Sequence, residues 1–375
     1  MTVHAYDVLI AGGGIVGAAC AAECARAGMR VCVVETEMVG SGATAAGMGH
    51  IVVMDDSEAQ FALTRFSQQL WHEFKAELPA SVEYECCGTV WVAADQEEMQ
   101  AVSSKFAYYG AHGVPVEVLD ERSLREAEPN LREGLPGGLL VPEDGVLYPP
   151  AAALWLMQRA VAAGAVLHTG KTVTALSGQG ARLSDGTFIN AQATVNATGA
   201  WSPALTPGLE VRKRKGHLVI TDRYPGFVHH QVLELGYLKS AHSLTSDSVA
   251  FNVQPRSTGQ VLIGSSRQYG NENSAADRDI VRAMLKRASA YMPAIERLSA
   301  IRCWTGFRPA TPDKLPLIGP SAEPGLYLAT GHEGLGITTC LATARMIADE
   351  LLGRESAIPR QPYSPARAPQ GAVHA

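Results

Sequence analysis

The chain has 375 residues, more than one hydrophobic core ordinarily organises, so two domains are expected. With 46% hydrophobic and 18% charged residues it has the composition of a globular protein, and a net charge of −6 argues against nucleic acid or an anionic membrane surface as its main partner. No run of about eighteen apolar residues occurs, and the start Met1-Thr-Val-His-Ala-Tyr lacks a signal-peptide pattern, so the expectation is a cytoplasmic protein with no transmembrane segment.

In chain order, Tyr6-Asp-Val-Leu-Ile-Ala-Gly-Gly-Gly-Ile-Val-Gly17 runs from an apolar strand into Gly12-x-Gly14-x-x-Gly17 and on into an alanine-rich helix ending near Gly28. A second apolar strand, residues 30–34, finishes on Glu35. Together they form a dinucleotide-binding βαβ unit. Gly12 permits the tight turn, Gly14 lets the backbone approach a pyrophosphate, and Gly17 lets helix and strand pack closely. The helix start, with Ile15 and Val16, offers N–H groups and a positive dipole end to phosphates. Glu35, eighteen residues after Gly17, is placed to accept a hydrogen bond from a ribose 2′-hydroxyl. The unit alone does not distinguish NAD from FAD.

After Glu35 and Thr36, residues 38–50 are small and flexible. Ser41, Gly42, Thr44, Ala46, Gly47 and Met48 let backbone amides approach a flat ligand. Ser57-x-x-Gln60 reads as a capping box for a helix with Phe61, Phe66, Leu70, Phe74 and Leu78 at helical spacing, ending at Pro79. Residues 88–94 alternate as a half-buried strand, and 95–111 are helix-like. Residues 144–150 lead into a long helix through Ala163, short strands follow at 166–168 and 173–176, and Asp185-Gly186 marks a hairpin turn. Ala193-Thr-Val-Asn-Ala-Thr-Gly-Ala-Trp-Ser202 is a second strand-to-glycine junction, of the kind a flavin domain assembled from separated segments uses. Strand patterns dominate residues 217–264, and a helix over 275–291 stops before Pro293. Residues 325–331 form a third junction, followed by Gly334-Leu-Gly336 and a helix through Leu352. The proline- and alanine-rich residues 361–375 read as a disordered tail. Seven cysteines show no metal-ligand or iron–sulfur spacing and read as reduced, mostly buried thiols.

The fold expected is α/β: a discontinuous Rossmann-like nucleotide domain (residues 1–80, 145–215 and 300–360) with an inserted, mainly antiparallel α+β substrate domain (81–144 and 216–299). One G-x-G-x-x-G favours FAD over NAD, because a flavoprotein reduced by NADH commonly needs a second dinucleotide fold. Electrons then come from an organic substrate.

Taken together, Gly12-Gly14-Gly17-Glu35, Asn196-Ala-Thr-Gly-Ala-Trp-Ser202, Trp304-Thr-Gly-Phe-Arg-Pro309 with Asp313-x-x-Pro316-x-x-Gly319, and Gly331-His-x-Gly resemble the D-amino acid oxidase-type flavoproteins, which include glycine and sarcosine oxidases and catalytic subunits of dye-linked amino acid dehydrogenases. Leu262-Ile-Gly-Ser-Ser-Arg-Gln268 and Met48-Gly-His50 resemble the branch of multi-component proline, hydroxyproline and opine dehydrogenases, nearest to D-hydroxyproline dehydrogenases. Lys215-Gly216 matches a basic-glycine pair of the family. The resemblance implies FAD, oxidation of a C–N bond beside a carboxylate, and electron transfer to a carrier or companion subunit. Direct use of oxygen, and a non-catalytic flavin-binding subunit, are the alternatives.

Such a reaction asks the protein chiefly to position its substrate, so no nucleophile–base pair is required. Arg308 matches the family's carboxylate-binding arginine, and its planar fork suits a carboxylate; an interdomain salt bridge is the other reading. His332 and His50 are candidates for orienting the amine or lying near the flavin, His50 alternatively being structural. Gly331, Gly334 and Gly336, with Leu335, Ile337 and Thr338, present a helix N-terminus toward the flavin. Thr198 and Gly199 approach the FAD diphosphate, Trp201 packs beneath it, and the family pattern puts Val173 beside adenine. Tyr237, Phe251 and Tyr269 either line the substrate pocket or belong to the core. The basic run Arg212-Lys-Arg-Lys215 reads as a solvated turn or as an anion or second-flavin phosphate site. No cysteine or histidine matches a covalent flavin attachment, so FAD is expected to be non-covalent.

Overall fold

The computed structural model describes residues 5–236 and 247–367. Two eight-stranded sheets organise them. In the first, the main strands lie in the order Leu317–Pro320, Leu326–Thr330, Phe188–Asn196, Tyr6–Ala11, Val31–Glu35 and Val166–Thr169. All neighbours there are parallel except the Leu317–Pro320 and Leu326–Thr330 hairpin. Val173–Ser177 and Gly180–Leu183 extend it antiparallel from Phe188–Asn196. Val8, Leu9 and Ile10 are fully buried in succession, as expected for a central parallel strand covered on both faces. One face carries helices Ile15–Arg26, Pro149–Ala162 and Gly336–Leu351 around a single core, and the antiparallel extension helps cover the other through Leu176, Ala181 and Leu183.

The second sheet runs Ala300–Ala310, Arg212–Arg223, Gln260–Arg267, Ser248–Pro255, Gln231–Glu234, Thr89–Ala93, Gly137–Val141 and Glu117–Asp120. It is antiparallel apart from the pair Gln231–Glu234 and Thr89–Ala93. Helices Gln96–Ala111 and Arg278–Tyr291 pack on it. Helix starts follow the side-chain chemistry: Ser57 Oγ accepts from Gln60 N at 3.1 Å, Asp95 from Glu98 N at 2.9 Å, and Asp277 from Asp279 N at 3.0 Å.

Several expectations are corrected. Ala300–Ala310 belongs to the second sheet, paired with Arg212–Arg223 throughout, so the chain rejoins the first sheet at Leu317 rather than at 300, and residues 212–215 leave it earlier than expected. The basic run is therefore strand and not a solvated turn: Arg214 and Lys215 are buried, and Lys215 Nζ donates to Ala275 O at 2.7 Å. Thr89–Ala93 is buried at every position, because helices and the other domain cover both faces. Residues 361–367 are ordered: Tyr363 is buried with its hydroxyl donating to Ala59 O at 2.5 Å, and Arg367 grips Asp313 at 2.7 and 2.9 Å. Tyr237 and residues 368–375 lie outside the described residues. No described helix is long and apolar enough to cross a membrane.

Candidate active site

The carboxyl ends of the parallel strands open onto a cavity of about 620 Å³, roofed by the second sheet. Ligand crevices of open α/β sheets form at this end. Gly12, Gly14, Ile15 and Val16 bring the start of the first helix to its wall. Gly12 has φ 104°, and a Cβ there would stand 2.7 Å from the carbonyl oxygen of Ala197, so only glycine lets the two strand-end turns touch. The loop after Glu35 wraps the helix start, with Thr44 Oγ1 accepting from Ile15 N at 3.0 Å. Ser41, Gly42, Thr44, Ala46, Gly47 and Met48 line the cavity, as do Thr36 and Val173 at one end and Thr198, Gly199 and Trp201 along the side. Gly334, Gly336 and Ile337 bring a second helix start to the wall.

Glu35 is buried and lines the same space. Its carboxylate accepts from Gly13 N at 2.5 Å and Glu37 N at 2.8 Å, so it braces the glycine turn. Each oxygen keeps a further lone pair for a ribose hydroxyl. The small-walled cavity, the two helix N-termini and this carboxylate fit FAD.

Arg308 reaches the cavity from the second sheet. Its Nη1 donates to Ser266 O at 2.8 Å. The guanidinium lies across Gly216, where a Cβ would come within 2.6 Å of Nη1 and 2.8 Å of Cζ and Nη2. Behind it, Glu333 pairs with Arg214. Burial raises the Glu333 carboxyl, while the charges of Arg214, Arg308, Arg267 and Lys314 pull the other way.

Both candidate histidines line the cavity, His332 buried and His50 half-buried. Burial, then the charge of Arg308, lowers His50 to about 4, with Gln254 offsetting part of this. Burial alone lowers His332 to about 3, and its Nε2 pairs with Thr343 Oγ1 at 2.9 Å. Both rings are thus neutral near pH 7. His50 Nε2 has no hydrogen-bond partner among the described residues.

Other candidates fall elsewhere. Phe251 is not at the pocket: it is fully buried and stacks on Tyr291 at 4.6 Å in the second sheet's core. Tyr269 packs against Arg214, whose Nη1 donates to its hydroxyl at 3.4 Å, and does not line the cavity. Gly17 serves helix packing, a Cβ there meeting Gly12 O at 1.9 Å. Thr338 Oγ1 donates to His50 O at 2.8 Å and so fastens the last helix to the cavity floor. Gly331 and Leu335 shape the turn without lining the space. Sequence reading missed many of the lining residues, among them Gly216, Asn252, Ser265 and Glu333. For Asn252 and Ser265 the only signal was the strand period, which assigns faces in pairs without saying which face meets the cavity.

The two-sheet fold and the cavity together define a dinucleotide-dependent oxidoreductase. The model of the FAD dependent oxidoreductase family matches residues 7–350, and the chain belongs to that family. Glycine oxidase from Geobacillus kaustophilus is 29% identical over 378 residues, spanning 96% of this chain and 97% of the relative. Its crystal structure superposes with a TM-score of 0.87, covering 98% of this chain and all of the other. A hydrogen cyanide synthase subunit from Pseudomonas aeruginosa is 28% identical, covering 94% of this chain and 93% of the relative. A D-amino acid dehydrogenase from Methylobacterium nodulans is 28% identical over 81% of this chain and 73% of the relative. The protein is an FAD-dependent oxidoreductase of the amino acid oxidase and dehydrogenase class.

Proposed function

We propose that the protein oxidises the C–N bond of a small amino or imino acid to the imine, with a D-hydroxyproline-like substrate, and that the electrons pass to a carrier or companion subunit. The observation that carries this reading is Arg308, a guanidinium laid across Gly216 at the wall of a cavity that two neutral histidines also line. A planar fork there suits a substrate carboxylate in two parallel hydrogen bonds.

In this reading the first sheet and its glycine turns hold FAD non-covalently, and the second sheet carries the substrate. FAD, when bound, supplies the acceptor for the hydride equivalent lost from Cα. Arg308 fixes the carboxylate and hence the direction of the Cα–H bond. His50, kept neutral, offers Nε2 to the substrate without adding a charge that would repel an ammonium group. His332 holds the 331–336 turn through Thr343.

The test is steady-state turnover of the FAD-loaded protein with cis-4-hydroxy-D-proline, D-proline, sarcosine, glycine and a panel of D-amino acids, followed both by reduction of an artificial dye and by peroxide formation in air. Dye reduction with an imino acid and little peroxide is the expected result. The likeness to glycine oxidase supports a second reading, direct use of oxygen, for which stoichiometric peroxide is the signature. The likeness to a synthase subunit supports a companion chain.

A further inference from the structure

Eight residues of the second sheet face the cavity, and three of them bring polar side chains: Arg308, Asn252 and Ser265. Asn252 is 1% and Ser265 3% exposed. Asn252 Oδ1 and Ser265 Oγ have no hydrogen-bond partner among the described residues. A buried polar atom left unpaired is costly, so two of them on one cavity wall point to a ligand that pairs them.

Strand order sets the spacing. Arg308 springs from the edge strand, its guanidinium lies over Gly216 on the next strand, Ser265 is on the third and Asn252 on the fourth. Neighbouring strands are about 4.8 Å apart. Ser265 therefore lies about 5 Å, and Asn252 about 10 Å, across the sheet from the guanidinium. A hydroxyl three carbon–carbon bonds beyond a carboxylate carbon reaches about 4 Å from it, which carries it from a carboxylate on Arg308 toward this pair.

The chemistry selects the group. An amide and a hydroxyl each donate and accept, and so does a substrate hydroxyl. A second carboxylate would call for a cation beside these residues and an ammonium for a carboxylate, and this stretch of the sheet brings neither to the cavity. We propose that Asn252 and Ser265 form a neutral hydrogen-bonding subsite that reads a hydroxyl on the substrate's ring or side chain, Asn252 Oδ1 accepting from it and Ser265 Oγ donating to it. The assignment rests on the proposed amino acid oxidation, in which Arg308 anchors the carboxylate.

The test uses the FAD-loaded enzyme and a pair of flat ligands with no hydrogen to lose from a tetrahedral Cα, pyrrole-2-carboxylate and 4-hydroxypyrrole-2-carboxylate, titrated by the perturbation of the flavin spectrum. Wild-type protein binds the hydroxylated ligand about 10- to 100-fold more tightly than its parent. Asn252→Ala and Ser265→Ala each remove most of that preference and leave the parent's Kd within about two-fold, which also shows that the site is intact. Equal binding of the two ligands by wild type, binding of neither, or variants that weaken both alike overturns the subsite. Anaerobic mixing with cis-4-hydroxy-D-proline and D-proline separates the two readings. Bleaching by both at equal rates removes the subsite and keeps the oxidation. The ligand preference without bleaching by any amino acid keeps the subsite and removes the oxidation.

Discussion

Replacing Gly216 by alanine tests how Arg308, the proposed carboxylate anchor, is held. The new methyl would stand 2.6 Å from Arg308 Nη1 and 2.8 Å from Cζ and Nη2, whereas ordinary contacts begin near 3.5 Å, so the guanidinium must retreat by about 1 Å. Gly216 does not have the positive φ that would strain alanine, and the atoms struck are the far end of a flexible side chain. The fold should therefore tolerate the change, with Tm and flavin content near wild type. A displacement of about 1 Å at a positioning group costs about 100-fold. Loss of one charge-assisted hydrogen bond, about 1.5–3 kcal/mol, corresponds to about 10- to 150-fold. The expected result is a fall of about 30- to 100-fold in kcat/KM, carried mainly by KM, in the dye-reduction assay. A double-mutant cycle decides the cause: in an Arg308→Ala background the same Gly216→Ala change should cost almost nothing. An unaltered kcat/KM in the single variant, or an equal loss in both backgrounds, refutes the idea that Gly216 acts by placing Arg308.

Arg308→Ala should lower kcat/KM by at least about 100-fold, and Arg308→Lys should not restore it, because an ammonium is a point charge without the planar fork; full rescue by lysine would contradict the bidentate grip. Gly12→Ala should purify with little flavin, read from the ratio of visible to ultraviolet absorbance, since its methyl meets the backbone carbonyl of Ala197 and its φ is 104°. Flavin released into the supernatant on acid precipitation is the outcome expected of a non-covalent cofactor, and colour retained in the pellet would refute it. Asp144, fully buried, has its carboxyl pushed up to about 7, burial outweighing the hydrogen bonds and the Lys105 charge that favour the ion. Because the folded state then holds a proton that the unfolded chain releases near pH 4, this residue's contribution to stability falls as pH rises from about 4 to 7. Asp144→Asn removes that slope, so its Tm relative to wild type should climb by several degrees between pH 5 and pH 8, from about 2–3 kcal/mol of linkage; a constant difference would show that Asp144 does not titrate in this window.

The nucleotide half of the site was legible because its residues are close in sequence and each has a local reason. Gly12, Gly14 and Glu35 belong to one strand–turn–helix–strand unit, and the structure brings them to one wall. Asn196 was legible as part of a strand–glycine junction, and its Oδ1 accepts from Thr198 Oγ1 at 2.7 Å to shape that turn. The proposed substrate half was not, because it is assembled from single residues on neighbouring strands. Phe251 and Asn252 show the difficulty: adjacent residues of a strand point to opposite faces, so an error of one position exchanges a core aromatic for a cavity-lining amide. Gly216 is informative only once Arg308 is seen lying on it. The position of Ala300–Ala310 was misjudged because a strand long enough to lie along Arg212–Arg223 carries no local sign of which sheet it joins.

The most direct measurement is an anaerobic single turnover: FAD-loaded protein mixed with a limiting amount of cis-4-hydroxy-D-proline, the flavin absorbance and the substrate both followed. One flavin bleached per substrate consumed, with the cyclic imine or its ring-opened hydrolysis product recovered, is the result expected of an imino acid dehydrogenase. A flavin that stays yellow with this compound and with every amino acid offered would contradict it.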